Sequence, residues 1–349
     1  MFSTFKDSDV KILLKDISGL VTPLSNKERE VYIQNGTHYS EMLPIEYKPS
    51  QAYLDAFHHS LEKHAQTTAQ AVASVSQKIW QAKGNNITLV SLARAGTPIG
   101  ILIKRYLQGK YGIHVPHYTI SIIRGKGIDR NAMEYILDRH AAESIQFVDG
   151  WTGKGAIQTQ LTEALKDYPT VSDGLAVLSD PAAIAEIPGT YEDFLIASSC
   201  LNATVSGLLS RTFLKSGIIG EKDFHGAHFY SELLSEDLTY FFIDTVESYF
   251  TFQEKTCQLS RPATTGLDEA RDICRAFGVD DINFVKPGIG ETTRVLLRRV
   301  PWKILVHRTD DEQYLGHIYQ LAKERNVDVC VYPLKNYKAC GIIKKMADN

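Results

Sequence analysis

One stretch of the chain constrains its fold more than any other: an apolar run that ends in an acid and leads into a short Gly/Thr/Lys loop. Residues 145–148 have the length and β-branched content of a buried strand, and residues 156–166 have helical spacing. A strand, a loop and a helix in this order predict an α/β fold that binds ligands at the carboxyl ends of its strands. The loop between them, residues 149–155, suits a phosphate group because Gly-rich turns present successive backbone N–H groups. In this interpretation Lys154 helps to bind the phosphate, and Asp149 faces the hydroxyls of the ligand or a metal.

A second unit of the same design precedes this one. Residues 87–92 are strand-like, residues 94–97 read Arg-Ala-Gly-Thr, and an apolar helix then runs through Tyr106. We interpret both loops as anion sites at one edge of the sheet. Two alternatives stay open. The loop at 149–155 could be only a tight strand-to-helix connection, and Arg94 could be only a surface charge beside a turn glycine.

A basic loop lies between the two units. Residues 117–123 alternate as a strand does, and residues 124–130 then contain two glycines and three cations, before a helical segment at 131–140. A mobile basic loop is what a cover over a charged ligand requires, because it must open for the ligand and then neutralise its charge. We therefore predict that Arg124 and Lys126 fold onto the ligand.

Two further strands are predicted at residues 174–179 and 194–197. The second is followed by a polar cluster that includes Asn202 and Thr204, which we place at the same edge of the sheet as a possible acceptor site. Residues 229–252 are rich in aromatic and aliphatic side chains, and we expect them to form a packed helix.

Cys200 has two interpretations. With His225 or His228 as a base and Asp223 to orient that base, it could be a thiol nucleophile. A buried structural cysteine near the end of a strand is the alternative, and spacing alone does not separate the two.

Length and composition indicate a soluble protein of two domains. The chain has 349 residues, 44% of them hydrophobic, and a formal net charge of -3. It contains no apolar run of about 18 residues, and its N-terminus lacks a signal-peptide core, so no membrane association and a cytoplasmic location are expected. The five cysteines form no Cys-x-x-Cys pair, which argues against a zinc knuckle or a disulfide framework. A homodimer is possible.

The composition shifts to a polar segment at residues 254–265, which we predict to be a linker between residues 1–253 and residues 266–349. The C-terminal segment alternates helices and strands and contains the sequence Gly-Ile-Gly-Glu-Thr-Thr-Arg at 288–294. This pattern resembles the Pelota and kink-turn-binding family, with Gly290 at the position of the usual asparagine. The resemblance implies contacts to structured RNA from Gly288, Gly290, Glu291, Thr293, Arg294 and Arg298. A small α/β module that docks onto another protein surface is the alternative.

The two loops, in this order along the chain, resemble those of type I phosphoribosyltransferases. Together with VDGWTGKGAI, CLNATVSGLLSRT and DFHGAHFY, they make the chain similar to the phosphoribosyltransferases of bacterial tellurite-resistance and stress operons, some of which carry the label cysteine protease StiP. The resemblance implies an open, mostly parallel sheet with helices on both faces, and a small αβα domain after it. The family usually has two adjacent acids at the ribose, and this chain has Asp149 alone.

The same resemblance implies transfer of phosphoribose from phosphoribosyl diphosphate and Mg²⁺ to a nitrogenous base, with stress-operon proteins as possible partners. Catalytic roles fall to Asp149, Arg124 and Lys126. Binding of phosphoribosyl diphosphate is expected at Arg94, Ala95, Gly96, Thr97, Asp149, Gly150, Thr152, Gly153, Lys154 and Gly155. The alternatives are a Cys200-dependent thiol hydrolase or protease, and an RNA-binding regulator that senses phosphoribosyl diphosphate. No metal-binding side chains are assigned.

Overall fold

The structure is a computed structural model that describes residues 2–253 and 260–344. We refer to these two ranges as the N-terminal region and the C-terminal region. Part of the predicted linker, including Cys257, lies outside the described residues. The division of the chain at that linker stays a prediction.

In chain order, the strands are β1 (Lys11–Ile12), β2 (Lys15–Asp16), β3 (Thr88–Leu92), β4 (His117–Ile120), β5 (Ile122–Ile123), β6 (Gly127–Ile128), β7 (Ile145–Trp151), β8 (Leu175–Ser179), β9 (Ile187–Thr190), β10 (Gly226–Ala227), β11 (Val285–Pro287), β12 (Pro301–Val306), β13 (Val329–Val331) and β14 (Ala339–Ile343).

The α-helices, in the same order, are α1 (Asn26–Gln34), α2 (Gln51–Lys83), α3 (Gly96–Tyr111), α4 (Arg130–Leu137), α5 (Ala156–Ala164), α6 (Thr239–Glu247), α7 (Gly266–Phe277), α8 (Ile289–Arg298) and α9 (Glu312–Glu324).

The N-terminal region is built on a six-stranded sheet with the order β1-β4-β3-β7-β8-β9, in which every neighbouring pair is parallel. The central strands β3 and β8 are buried along their whole length, as expected for a sheet covered on both faces. The predicted α/β class with a mostly parallel sheet is confirmed. The first fifty residues contribute β1 to one edge of this sheet.

Helix α2 covers one face of the sheet. Its 33 residues place alanine, valine and leucine side chains three or four positions apart on a buried stripe, and Gly84 ends it with a positive φ of 61°. It packs against β8, β9, α3 and α6. At β9 the approach is close, because a Cβ at Gly189 would lie 2.6 Å from the carbonyl oxygen of Ala71 in α2.

Two secondary-structure predictions were wrong. Residues 194–197 are buried but form no strand, because the carbonyl of Leu195 accepts a hydrogen bond from the Ser60 hydroxyl of α2 instead of joining a strand ladder. The outer strand is β9, whose Pro-Gly pair conceals it in the sequence. The predicted helix at 229–252 is reduced to a 3₁₀ turn at Ser231–Glu236 and to α6.

The C-terminal region has a mixed four-stranded sheet with the order β11-β14-β12-β13, and α8 and α9 pack together beside it. One hydrophobic cluster includes buried side chains of both regions, among them Phe194 and Leu195 on one side and Ile289 and Leu296 on the other. The two regions therefore share part of a core. Within the described ranges, no helix is long and apolar enough to cross a membrane.

Candidate ligand site between the two regions

The two predicted anion loops lie side by side. Because β3 and β7 are parallel neighbours, the Arg94 loop (residues 94–97) and the Asp149 loop (residues 149–155) lie at the same edge of the sheet. The predicted bounds of both loops were too wide, because residues 149–151 pair with β8 as part of β7 and residues 96–97 begin α3. A glycine permits their close approach: a Cβ at Gly96 would lie 2.6 Å from the Val148 carbonyl oxygen. The peptide bond between Ala93 and Arg94 is cis.

A cavity of about 250 Å³, here called the interface cavity, lies between these loops and the C-terminal region. From the N-terminal region it is lined by Ala95, Arg124, Asp149 and residues 151–158, and from the C-terminal region by Lys286, Pro287, Glu291 and Arg294. The predicted site at the sheet edge is thus closed by a part of the chain for which the sequence predicted RNA contacts.

Asp149 is the acid that the N-terminal region contributes to the interface cavity. Burial raises the pKa of its carboxyl to about 7, and the Gly150 N–H, which donates to Oδ1 at 2.8 Å, opposes this shift only in part. The carboxyl is therefore partly protonated at neutral pH, so that it can both donate to and accept from a ligand hydroxyl.

Other side chains of the Asp149 loop are held by the protein itself. The Thr152 hydroxyl donates to Asp180 Oδ1 at 2.5 Å, and Lys154 Nζ donates to the carbonyls of Ile282 and Val285 at 2.5 and 2.8 Å. Burial, followed by the charge of Lys286, lowers the pKa of Lys154 to about 8. In this arrangement Lys154 joins the two regions.

The backbone of the same loop still has the form of an anion site. Gly155, with a φ of +87°, precedes α5, and no side chain caps that helix. A Cβ at Gly155 would lie 2.6 Å from the side chain of Ile184, so glycine is required there. Gly153 and Gly155 both line the interface cavity, although the carbonyl of Gly153 accepts a hydrogen bond from the Tyr337 hydroxyl at 2.6 Å.

In the Arg94 loop, the side chains have separate partners. Arg94 donates to the carbonyl of Leu209 at 3.0 Å and lines a small adjoining pocket of about 40 Å³, here called the side pocket. The hydroxyl of Thr97 points into the sheet, where it lies 2.7 Å from that of Thr119.

Arg94 and Arg294 line the side pocket, one from each region, and their charges act on two half-buried neighbours, Arg211 and Arg298. Burial, followed by the charges of Arg29 and Arg94, lowers the pKa of Arg211 to about 10. Burial also lowers the pKa of Arg298 to about 10, with Arg294 as the next cause. The Nε atoms of Arg211 and Arg298 are buried without a hydrogen-bond partner.

The basic loop at residues 124–127 joins β5 and β6 in a hairpin. The backbone N–H of Arg124 donates to the Tyr39 hydroxyl at 3.0 Å, and that of Gly125 donates to Gln160 Oε1 at 2.6 Å. Arg124 lines the interface cavity, whereas Lys126 is exposed and is not part of its lining.

Within the described residues, neither histidine proposed as the base of Cys200 is hydrogen-bonded to it, and Nδ1 of His228 is buried without a hydrogen-bond partner. Cys200 is fully buried, and burial raises the pKa of its thiol to about 12 despite the opposing charges of Arg298 and Arg294. His225 Nδ1 lies 2.8 Å from the Ser121 hydroxyl, and Asp223 forms an ion pair with Lys15. The structure therefore does not assemble the predicted pairing of thiol, base and orienting acid.

Of the polar residues after Cys200, Asn202 is half-buried and Thr204 is buried. The carbonyl of Cys200 and Oδ1 of Asn202 both accept hydrogen bonds from Arg298, at 2.8 and 2.6 Å. The Thr204 hydroxyl is buried without a hydrogen-bond partner. Of these three residues, only Asn202 lines the side pocket.

The residues predicted to contact RNA are drawn into the same interface. The N–H of Ile289, immediately after Gly288, donates to both carboxylate oxygens of Asp193 at 2.9 and 3.1 Å. Glu291 and Arg294 form an ion pair at 3.2 Å. The Thr293 hydroxyl faces its own helix, since it donates to the carbonyl of Ile289.

Sequence reasoning missed two acids that organise the site. Asp180 accepts hydrogen bonds from Thr152 and from the backbone N–H groups of Ile184 and Ala185. Asp193, which is 5% exposed, accepts from Ile289 and from the N–H of Lys338. Asp180 follows a predicted strand and was detectable on that ground, whereas no local pattern distinguishes Asp193.

No metal centre is apparent in the described residues, where no group of three or more His, Cys, Asp or Glu side chains could hold an ion.

Comparison with known proteins identifies the family of this chain. Residues 3–247 match the family model described as tellurite-like stress resistance cysteine protease StiP, and residues 264–345 match the PELOTA RNA binding domain. The chain is also similar to the cysteine protease StiP of Acinetobacter baylyi, with 33% identity over 364 aligned residues that cover 98% of this chain and 94% of the relative. The fold and these matches define an α/β protein with a C-terminal Pelota RNA-binding domain. The chain belongs to the StiP family.

These comparisons correct the predicted activity. The expectation of a phosphoribosyltransferase was wrong, because the family model and the curated relative both carry the name of a cysteine protease. The error has a physical origin, since a glycine-rich turn between a strand and a helix serves many unrelated activities and does not specify one. The predicted link to tellurite-like stress resistance and the predicted Pelota domain are confirmed.

Proposed function

We propose that this protein binds a phosphorylated small molecule in the interface cavity and the adjoining side pocket. The observation that carries the proposal is the positive charge at the side pocket: Arg94 and Arg294 line it, and burial with like charges lowers the pKa of the neighbouring Arg211 and Arg298 to about 10. Crowded, partly unpartnered cations are unfavourable in a protein interior unless an anion neutralises them. A phosphate or diphosphate group supplies that charge and accepts several N–H donors at once.

The interface cavity suggests how the rest of such a ligand would be held. The turn at 152–155 and the uncapped start of α5 offer backbone N–H groups to a phosphate. Asp149, with its pKa raised to about 7, suits the hydroxyls of a sugar. Mg²⁺ stays a prediction, as an ion that would arrive with a diphosphate.

Isothermal titration calorimetry with inorganic diphosphate and with ribose 5-phosphate, each with and without Mg²⁺, tests this proposal. We expect at least one of them to bind and, near 100-fold excess over its dissociation constant, to raise the melting temperature by about 3 °C. Arg94→Met should weaken binding at least tenfold. The matched control is Arg271→Met, an exposed arginine of α7 that should bind as the unchanged protein does. Binding of neither compound would contradict the proposal.

Thiol-dependent hydrolysis is a second candidate, favoured by the name of the relative and by the two arginines beside Cys200. Arg298 and Arg294 both lower the pKa of the Cys200 thiol, but burial outweighs them in this arrangement. The thiol would become a nucleophile only after the C-terminal region moves away, because solvation then lowers its pKa toward the usual range.

A protease assay with fluorescein-labelled casein tests this second candidate. Cys200→Ser should abolish cleavage, whereas Cys330→Ser, at a partly exposed cysteine of β13, should leave it intact. Equal rates for the Cys200→Ser variant and the unchanged protein would exclude Cys200 as the nucleophile.

A further inference from the structure

The start of α8 is the part of the Pelota domain in which the sequence predicted RNA contacts, and the structure covers it with the N-terminal region. Asp193 places its carboxylate on the N–H of Ile289, the first residue of the helix. A carboxylate at this position occupies the place where a helix N-terminus would receive a phosphate of RNA.

Two more residues of this surface are committed to the N-terminal region. Arg298 donates to Asn202 and to the carbonyl of Cys200. Gly290 lies so close to Ser199 that a Cβ there would be 3.4 Å from the serine hydroxyl oxygen. RNA cannot reach these groups while the two regions are in contact.

The remaining charged residues of the surface belong to the ligand site. Glu291 and Arg294 line the interface cavity, and Arg294 also lines the side pocket together with Arg94 and Ser198. The hydroxyl of Ser198, a residue that is 8% exposed, is buried without a hydrogen-bond partner. An oxygen of a ligand in the side pocket would satisfy this hydroxyl and lie between the two arginines.

We propose that the surface of α8 around residues 288–298 has two mutually exclusive occupants: it closes the ligand site when the regions are in contact, and it binds RNA when they separate. The proposal rests on the proposed function, because it requires a phosphorylated ligand in the cavity. A ligand that contacts both regions stabilises their contact, and RNA that needs the same surface opposes it. By linkage, each then lowers the affinity for the other by the same factor.

Fluorescence anisotropy with the full chain and a labelled stem-loop RNA tests the inference. We expect saturating inorganic diphosphate to weaken RNA binding at least fivefold, and saturating RNA to weaken diphosphate binding by an equal factor. Tyr337→Phe, which removes the hydrogen bond to the Gly153 carbonyl, should strengthen RNA binding and weaken diphosphate binding. The matched control is Tyr332→Phe, because Tyr332 packs against Phe277 within the C-terminal region and should change neither affinity.

A second variant keeps the inference testable if the Tyr337→Phe protein does not fold. Arg294→Ala removes one side chain that both occupants would use, so both affinities should fall, while the melting temperature stays near that of the unchanged protein. RNA and diphosphate that bind independently would overturn the inference and leave the proposed function standing. Absence of RNA binding in every variant would also overturn the inference, whereas absence of binding of both diphosphate and ribose 5-phosphate would overturn both proposals.

Discussion

The starts of α5 and α8 have the same local design but different surroundings. Each helix follows a strand and a glycine with positive φ, +87° at Gly155 and +97° at Gly288, and neither has a capping side chain of its own. At α5 the preceding loop faces the interface cavity, whereas at α8 Asp193 of the other region accepts the first N–H. Local sequence can therefore build an anion site twice in one chain, and tertiary contacts decide which of the two is filled from within.

The first prediction concerns the start of α8, where Asp193 accepts the hydrogen bond of Ile289. Asp193→Ala leaves the N–H groups of Ile289 and Lys338 unsatisfied in a buried interface, so the free energy of unfolding should fall by about 4 kcal/mol. Urea denaturation measures this loss. As a control, Asp310→Ala removes an exposed carboxylate that pairs with Arg308, and we expect no measurable change in the free energy of unfolding. Equal losses in the two variants would mean that Asp193 does not hold the start of α8.

The second prediction concerns the acid of the open site. The pKa of Asp149 is raised from 3.8 to about 7 in the folded protein, so folding takes up a proton between these values. The contribution of this group to stability is therefore complete below pH 3.8 and is lost as the pH rises through about 7. Asp149→Asn should remove this dependence and increase the free energy of unfolding at pH 8 by about 2 kcal/mol.

Urea denaturation of both proteins at pH 5 and pH 8 measures this difference. The same variant should bind ribose 5-phosphate more weakly and inorganic diphosphate unchanged, because only the former carries hydroxyls for Asp149. A variant whose stability follows the pH as the unchanged protein does would contradict the raised pKa.

The third prediction tests what holds the open site in shape. Thr152→Val keeps the shape of the side chain but removes the hydrogen bond to Asp180, so the protein should lose about 1 kcal/mol of unfolding free energy. Diphosphate binding should weaken roughly fivefold, since the bond is worth about 1 kcal/mol to the loop geometry. Thr162→Val, at an exposed bond between α5 and Asp173, is the matched control and should leave binding intact.

The smallest expected effect separates the two cations of the basic loop. Arg124 lines the interface cavity and Lys126 does not, so Arg124→Ala should weaken diphosphate binding severalfold while Lys126→Ala changes it less than about twofold. Both side chains are exposed, and neither variant should shift the urea midpoint measurably. Calorimetry that shows equal losses for the two would mean that the loop closes over the ligand with both cations.

Much of the fold was open to prediction because its signals are local. The apolar run that became β7, the long stripe of α2 and the glycine-rich turns are properties of neighbouring residues, and they identified the strand-loop-helix units and the edge of the sheet where the loops meet. The strand predicted at 194–197 failed for the same reason. Its apolar residues signal burial, but their backbone partner is Ser60 of α2, which no local pattern reveals.

The candidate site divides in the same way. The sequence by itself determined which residues form the Arg94 and Asp149 loops, because turns and helix starts depend on a few adjacent residues. Only the tertiary structure decided that Lys154 joins the two regions, that Cys200 is buried with its pKa raised to about 12, and that Asp193 fills the start of α8. The physical reason is that the charge state and the partners of a polar group depend on what packs against it. The hydrogen-bond partner of Lys154 lies more than a hundred residues away in the chain, and that of Asp193 lies nearly as far away.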